Sequence, residues 1–151
     1  MNKKYKELED FIDGFNFKYF KGKEFTPYWD RVRKGIKNNI PNEVLWPNIV
    51  NTIIVADFLR DKIGGPLSIT SSYRSPRYNA AIGGEKNSYH MKFMALDLAT
   101  SDPKRLASAA RKLRGCLFHI PGTNDTFTFN GGVGLYSTFV HIDTRANKAD
   151  W

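Results

Sequence analysis

Two histidines and one aspartate offer the side chains that a divalent metal ion binds. His90 and Asp97 stand seven positions apart in NSYHMKFMALDLAT, and His141 lies in FVHIDT, close to the end of the chain. Two histidines, one carboxylate and a fourth position left to water make a catalytic zinc site, where the metal lowers the pKa of that water to about 7. The alternative is structural, because buried strand histidines are commonly hydrogen-bonded and strand aspartates often pair with arginine. The residue types and their spacing leave both hypotheses open.

The elements that must position these side chains are two strands and one loop. In MALDLA the apolar residues alternate with Asp97, which therefore points away from the apolar face. In FVHIDT the apolar Val140 and Ile142 leave His141 and Asp143 together on the opposite face. Neighbouring strands with this alternation aim their polar faces into one cleft, and the loop that leads into MALDLA carries the first histidine over it.

The rest of the pattern predicts an α+β protein with a single domain over residues 1–151, in which helices pack on a small antiparallel sheet. Helices are predicted in the first dozen residues, in YWDRVRKGIKNN after Thr26-Pro27, in NIVNTIIVADFLRDKI, in SPRYNAAI and in KRLASAARKLR. Further strands are predicted in PLSITSSY, CLFHI, TFTFN and GVGLY. No linker divides the chain, and we expect it to act as a monomer.

The charge of the chain bears on its partner. The formal net charge is +8 and the pI is about 9.6, which favours a polyanionic partner. The lysines and arginines are scattered, however, so we do not expect nucleic-acid binding. No apolar stretch approaches the roughly 20 residues of a membrane-spanning helix, so we expect no membrane insertion. The first residues lack the apolar segment of a signal peptide, which predicts synthesis in the cytoplasm.

Two blocks of this sequence resemble the M15 family of zinc peptidases. SSYRSPRYNAAIGGEKNSYHMKFMALDLA and GGVGLYSTFVHIDTRANKADW stand in the family's order, and the second is most similar to a subgroup that ends in VHVDTR and a terminal tryptophan. The resemblance implies that His90, Asp97 and His141 bind one Zn²⁺ ion. It also implies that Arg74 binds the carboxylate of the substrate or the oxyanion, for which a planar guanidinium is suited. Ser88 is expected to orient the loop before the first histidine.

The same resemblance implies a function. The family contains D-Ala-D-Ala carboxypeptidases and murein endopeptidases, including many phage endolysins. We therefore expect a zinc-dependent peptidase that hydrolyses an amide bond in the stem peptide or the cross-link of bacterial peptidoglycan. A small basic catalytic domain resembles phage endolysins, which are made in the host cytoplasm and act at the cell wall after release. Peptidoglycan is the expected partner.

Three positions depart from the family pattern. Phe93 stands where the family usually has glycine, so we expect a narrower cleft or an altered turn. Many members have an acidic residue at the position of Thr138, and some related zinc enzymes have a histidine at the position of Phe139. Neither of these two residues can act as a general base.

The general base must then come from elsewhere. Asp143 is the first candidate because it shares the face of His141, where a carboxylate near the metal can take a proton from the bound water. Its alternative roles are a hydrogen bond to a ligand histidine or an ion pair with Arg145. Glu85 in GGEKNS is a second, weaker candidate for the base.

Two aromatic residues near the motifs and the third histidine are the remaining candidates for a role. Tyr89 and Trp151 flank the two motifs and are expected to contact a peptide substrate, whereas His119 in CLFHIPG is expected to be structural.

The missing acid at Thr138 motivates a different hypothesis, a catalytically inactive M15-like domain that binds metal and serves as a cell-wall-binding or virion structural component. The net charge motivates a third, a nucleic-acid binder, for which the sequence shows no recognised motif.

Overall fold

The computed structural model of the protein describes residues 2–151. The helices are α1 (Lys3–Asp13), α2 (Thr26–Trp29), α3 (Asn48–Ile63), α4 (Pro76–Ala81) and α5 (Pro103–Lys112). The strands are β1 (Val32–Arg33), β2 (Ile36–Lys37), β3 (Ser68–Ser71), β4 (Ala95–Ala99), β5 (Leu117–His119), β6 (Thr126–Thr128), β7 (Gly132–Leu135), β8 (Phe139–Asp143) and β9 (Ala149–Asp150). Short 3₁₀ helices cover Gly22–Glu24, Glu43–Leu45 and Tyr89–Lys92. Within the described residues, no helix has the length and apolar character needed to cross a membrane.

Five strands form the central sheet in the order β3-β4-β8-β7-β9, antiparallel except for the β7–β9 pair. Helices α3 and α5 pack against this sheet and against each other. Alternation along β4 and β8 buries Leu96, Leu98, Val140 and Ile142 completely in the shared core. This arrangement confirms the predicted α+β class, with helices packed on a small and mainly antiparallel sheet.

Helix ends follow the capping residues in the sequence. The side chain of Ser75 accepts a hydrogen bond from the third residue of α4, and that of Asp102 does the same for α5. Each of these caps stands directly before a proline, which suits the first helical position. Gly64 ends α3 with a left-handed backbone, φ 66° and ψ 14°. These local signals account for the boundaries of α3, α4 and α5 near the predicted positions.

The helix predicted through YWDRVRKGIKNN is wrong after Trp29. The chain instead forms a β1–β2 hairpin whose two connecting residues, Lys34 and Gly35, have φ values of 50° and 73°. Two successive residues with positive φ make the two-residue turn whose twist matches that of paired strands. Gly35 adopts this backbone without steric cost, so the glycine marks a turn and not a weak point of a helix.

The later strands also differ in part from the prediction. The strands in CLFHI and TFTFN form a separate β5–β6 hairpin and do not join the central sheet. Strand β9 was not predicted and pairs in parallel with β7 at the edge of the sheet. Two residues are too few to show an alternating pattern, and therefore the sequence gives no signal for β9.

Candidate metal centre

Strands β4 and β8 bring Asp97 and His141 side by side. The antiparallel register pairs these two residues directly, with both side chains on the face opposite the helices. The Oδ1 atom of Asp97 lies 3.0 Å from Nδ1 of His141. Both residues are buried, at 4% and 7% exposure. Alternation in the sequence predicts the shared face, and the register adds the direct contact.

The 3₁₀ turn Tyr89–Lys92 places His90 over the same point. Ser88 precedes this turn, and its hydroxyl accepts a hydrogen bond from the backbone N–H of His90 at 3.2 Å. The Nε2 atom of His90 lies 3.1 Å from Oδ1 of Asp97. The structure therefore brings together His90, Asp97 and His141, whose candidate ligand atoms lie within 4.8 Å of one another.

Each imidazole is held by its outer nitrogen. Nδ1 of His90 lies 2.5 Å from the carbonyl oxygen of Ser72, and Nε2 of His141 lies 2.8 Å from Oδ2 of Asp143. Metal-binding histidines have this arrangement, in which the outer N–H donates to a carbonyl or carboxylate and fixes the tautomer. The inner nitrogens then present lone pairs toward the oxygen of Asp97.

These contacts fit a cation at the centre. The two rings make four contacts with three acceptor atoms, the carbonyl oxygen of Ser72, Oδ1 of Asp97 and Oδ2 of Asp143. A neutral imidazole has one N–H, so two neutral histidines cannot satisfy all four contacts. A metal ion between the inner nitrogens and Asp97 removes this conflict. Zn–N bonds of about 2.0–2.1 Å in tetrahedral geometry put two ligand atoms about 3.3 Å apart, close to the spacing of this site. The donor set therefore suits one Zn²⁺ ion.

Two of the three candidate ligands, His90 and Asp97, are in the protonation state that a metal ion needs. Burial lowers the pKa of His90 and favours its neutral form. Burial opposes the charge on Asp97, but its interactions with His90 and His141 outweigh burial and hold the pKa of the carboxyl well below its usual range. Burial likewise opposes the charge on His141, but its hydrogen bonds to Asp143 and Asp97 raise the pKa of this imidazole. A metal displaces that remaining proton when it binds.

Arg74 lies beside the three candidate ligands. Its Nη2 is 3.2 Å from Oδ2 of Asp97, its Nε is 3.1 Å from the hydroxyl of Ser71, and its backbone N–H donates to the carbonyl of His90 at 3.1 Å. The carboxylate partner of Arg74 is thus Asp97 and not Asp143. A guanidinium here stands next to the metal position and lines the same cleft, where an oxyanion or a carboxylate of a substrate can reach it.

Asp143 is fully buried behind His141, and both of its oxygens are engaged. Oδ1 accepts from the backbone N–H of Gly132 at 3.0 Å and from Nε of Arg145 at 2.8 Å, while Oδ2 accepts from His141 and from Nη2 of Arg145 at 2.7 Å. Burial opposes ionisation, but the hydrogen bonds from His141 and Arg145 outweigh it and lower the pKa of Asp143. This placement speaks against a general base and favours the alternative role of orienting His141.

An open cleft of about 750 Å³ lies over the three candidate ligands. Among the described residues, the carboxylates that line it are Asp97 and Glu85, the second candidate for the base. Tyr89 and Trp151, both predicted to contact a substrate, also line it. His119 is exposed on β5 and does not line the cleft.

Tyr89 and Trp151 enclose a third cleft residue, Arg145. The guanidinium carbon of Arg145 lies 4.3 Å from the ring centre of Tyr89 and 5.3 Å from that of Trp151. The indole of Trp151 also packs 5.0 Å from the imidazole of His141 and donates a hydrogen bond to the hydroxyl of Tyr136 at 2.9 Å. The sequence suggests Arg145 only as an ion-pair partner, because Tyr89 comes from a distant segment and the nearby Trp151 is brought onto it by tertiary packing.

The glycines of GGVG allow these contacts. A Cβ atom on Gly134 would lie 2.4 Å from the Trp151 indole, and one on Gly132 would lie 2.6 Å from Oδ2 of Asp143. Both distances are far below van der Waals contact. The close packing at this glycine cluster therefore serves the site itself.

Phe93 does not narrow the cleft as expected. Its side chain is fully buried and packs edge-on against Phe25 and Tyr73, away from the lining residues. Its backbone is left-handed, with φ 54° and ψ 43°, which explains the glycine of related sequences at this position. The departure therefore changes the core beneath the turn and leaves the turn itself in place.

A buried amide that the sequence analysis missed supports the Arg74 loop. Nδ2 of Asn38 donates to the carbonyls of Tyr28 and Tyr73, each at 2.8 Å, and Oδ1 accepts from the backbone N–H of Ser75 at 2.9 Å. Two of these bonds flank Arg74. No pattern in the sequence distinguishes Asn38 from Asn39 in KNN. The sequence predicts a helix at this point, whereas Asn38 in fact follows the β1–β2 hairpin.

The fold and the site together define an α+β protein with a buried His-Asp-His group, able to hold a metal ion, at the floor of an open cleft. The family model of Peptidase M15 matches residues 18–143, which is most of the chain. The chain belongs to the Peptidase M15 family, and membership implies a peptidase of a kind that is generally zinc-dependent. No curated protein sequence matches the chain. The matched range ends at Asp143, before Arg145 and Trp151.

Proposed function

We propose that the protein is a zinc-dependent peptidase that hydrolyses an amide bond in the stem peptide or cross-link of bacterial peptidoglycan. The observation that carries the proposal is the convergence of Nε2 of His90, Oδ1 of Asp97 and Nδ1 of His141 at the floor of a cleft. Because the chain belongs to a peptidase family that is generally zinc-dependent, a metal held at this point would serve amide hydrolysis. We extend the proposal to a phage endolysin on the resemblance of the two sequence blocks.

The roles of the residues follow from their positions. His90, Asp97 and His141 would hold zinc, which when bound supplies a Lewis acid and lowers the pKa of water. Arg74 is placed to donate to the developing oxyanion or to a carboxylate of the substrate. Glu85 is the candidate for proton transfer, because it is the carboxylate of the cleft that does not belong to the ligand set.

The cleft and the surface charge support a peptidoglycan substrate. Arg74, Lys86 and Arg145 line the cleft, and the whole chain has a net charge of +8. Cell-wall polymers and the carboxylates of stem peptides are anionic, so both the local and the overall charge favour their approach. Tyr89 and Trp151 add apolar surface beside these cations.

The test is hydrolysis of purified bacterial cell walls, followed as a loss of turbidity. We expect the zinc-loaded protein to clear walls, a chelator to abolish clearing, and added zinc to restore it. His90→Ala should remove activity and zinc binding, whereas His119→Ala, which changes an exposed histidine outside the cleft, should behave as wild type. Intact walls and intact muropeptides in the presence of zinc-loaded protein would reject the enzyme and favour the metal-binding domain without catalysis.

A further inference from the structure

Arg145 contacts Asp143 through one edge of its guanidinium. Nε lies 2.8 Å from Oδ1 and Nη2 lies 2.7 Å from Oδ2, a side-on pair of hydrogen bonds. A guanidinium carries five N–H donors in a plane, so this contact leaves the Nη1 edge free of Asp143. The side chain of Arg145 is 23% exposed and lines the cleft together with Arg74. An arginine that only supported the fold through its ion pair would not need a guanidinium edge exposed to the cleft.

Aromatic rings hold this guanidinium in place. Tyr89 and Trp151 lie within cation–π distance of it, at 4.3 Å and 5.3 Å. With one edge fixed by Asp143 and two rings beside it, the group is preorganised and loses little freedom when it binds an anion.

We propose that Arg145 forms a second anion-binding subsite, in which the Nη1 edge binds a carboxylate of the peptide substrate. This subsite is separate from Arg74, because Arg74 contacts Asp97 on β4 whereas Arg145 contacts Asp143 at the end of β8. The inference rests on the proposed function and narrows the substrate to peptides that carry a free carboxylate near the hydrolysed amide. A carboxamide at the same place lacks the negative charge, and its NH₂ group can face the N–H donors of Arg145. The subsite therefore disfavours amidated peptides.

The experiment uses synthetic stem peptides in which each carboxylate is converted in turn to its carboxamide. For the zinc-loaded wild type, we expect one such conversion to lower kcat/KM by about tenfold or more, as for the loss of a charge-assisted hydrogen bond. In Arg145→Gln the same conversion should have almost no effect, although both rates fall because Asp143 loses its partner. Arg60→Gln is the matched control, since Arg60 also stacks on a tyrosine, Tyr19, and does not line the cleft.

The ratio of kcat/KM for the carboxylate peptide to kcat/KM for the carboxamide peptide shows whether Arg145 recognises the substrate or only supports the fold. A purely structural Arg145 would lower both rates equally and leave the ratio as in wild type, which would overturn the proposal. The absence of any amidation effect that depends on Arg145 would overturn it as well. Lysine in its place keeps the charge but not the fork, so Arg145→Lys should restore only part of the preference.

Binding to the same peptides distinguishes failure of this subsite from failure of the proposed function. If the zinc-loaded protein cleaves no peptide, affinity is measured by the fluorescence of Trp151, which is 45% exposed while Trp29 and Trp46 are buried. Tighter binding of the carboxylate form by wild type, and not by Arg145→Gln, would support the subsite without peptidase activity. Equal binding of both forms, or no binding, would end the proposal.

Discussion

The two candidate histidine ligands differ in what holds them. His90 donates to a backbone carbonyl, that of Ser72, which no side-chain substitution removes. His141 depends on the side chain of Asp143, which Arg145 in turn fixes with two hydrogen bonds. The metal centre is therefore most sensitive to substitution on the β8 side.

Asp143→Asn tests whether this carboxylate positions His141 or carries protons. We expect zinc affinity to fall about 10–100-fold, as for other partners of ligand histidines, with activity largely restored at saturating zinc. Competition with a chromophoric chelator measures the affinity, and wall clearing at high zinc measures the activity. A variant that binds zinc like wild type but stays inactive when saturated would instead identify Asp143 as the proton carrier.

The lowered pKa of Asp143 also predicts how its contribution to stability depends on pH. A carboxyl whose folded pKa lies below its unfolded value of about 3.9 stabilises the protein above that value, and the contribution disappears as the pH falls through the folded value. In urea unfolding of zinc-free protein, wild type should therefore be more stable than Asp143→Asn at neutral pH. The difference should shrink below about pH 3, and a constant difference would contradict the assignment.

Phe93 combines a strained backbone with a well-packed side chain. Truncation to alanine should lower the free energy of unfolding by about 3–5 kcal/mol, because a fully buried phenylalanine is lost. Phe93→Gly should be about 1 kcal/mol more stable than Phe93→Ala, since only glycine is free of cost at φ 54°. Denaturant unfolding gives the order, and Ala109→Gly in α5 should show the opposite sign, a loss of about 1 kcal/mol.

Among the elements, the β1–β2 hairpin has a role beyond its own two strands. It delivers Asn38 to the loop that carries Arg74, where the amide bonds to the backbone of Tyr73 and Ser75. The same loop offers the Ser72 carbonyl to His90. The buried side chain of Asn38 thus supports Arg74 and, through the loop, the candidate metal ligand His90.

Asn38→Ala should therefore lower both the stability of the fold and the zinc affinity of the candidate site. Three backbone groups lose their partner, which should cost about 2–4 kcal/mol in the free energy of unfolding. We also expect weaker zinc binding, because the loop no longer fixes Ser72. Chemical denaturation and chelator competition measure the two effects, and Asn39→Ala, which changes an exposed neighbour, should shift the free energy by less than about 0.5 kcal/mol. Equal behaviour of the two variants would refute this role.

Local patterns in the sequence predict the elements that have strong periodicity or caps. Strands β4 and β8 follow from alternation, and α3 follows from its length and from the glycine at its end. The β1–β2 hairpin was missed because Lys34-Gly35 is a weaker turn signal than Asn-Gly or Asp-Gly. Local patterns are therefore sufficient for the strands and helices that carry the site, but not for the β1–β2 hairpin or the short edge strand β9.

Contacts between distant segments limit what can be predicted of the site. Alternation indicates that Asp97 and His141 face one side of their strands, but only the register places them opposite each other. Arg145 contacts Asp143 and Trp151, which are near it in the sequence, and Tyr89, which comes from a distant segment. Such an arrangement depends on tertiary packing, for which a single sequence carries no local signal.

Over the whole molecule, cations exceed anions, with 23 lysines and arginines against 15 aspartates and glutamates. Several of these groups form exposed pairs, such as Lys18 with Asp61 and Lys37 with Asp30, which contribute little to stability. The excess charge remains available to attract an anionic polymer over a distance set by ionic strength. In the proposed function, approach to the wall and chemistry in the cleft are therefore separable steps.

Salt separates the two steps experimentally. Binding of the zinc-free protein to purified walls, measured by co-sedimentation, should weaken strongly from about 0.05 M to about 0.5 M NaCl, because screening shortens the reach of the surface charge. Hydrolysis of a small stem peptide by the zinc-loaded protein should change much less, since it depends on short contacts at Arg74 and the metal centre. Wall binding that is insensitive to salt would show that specific contacts, and not the net charge of +8, bring the protein to its polymer.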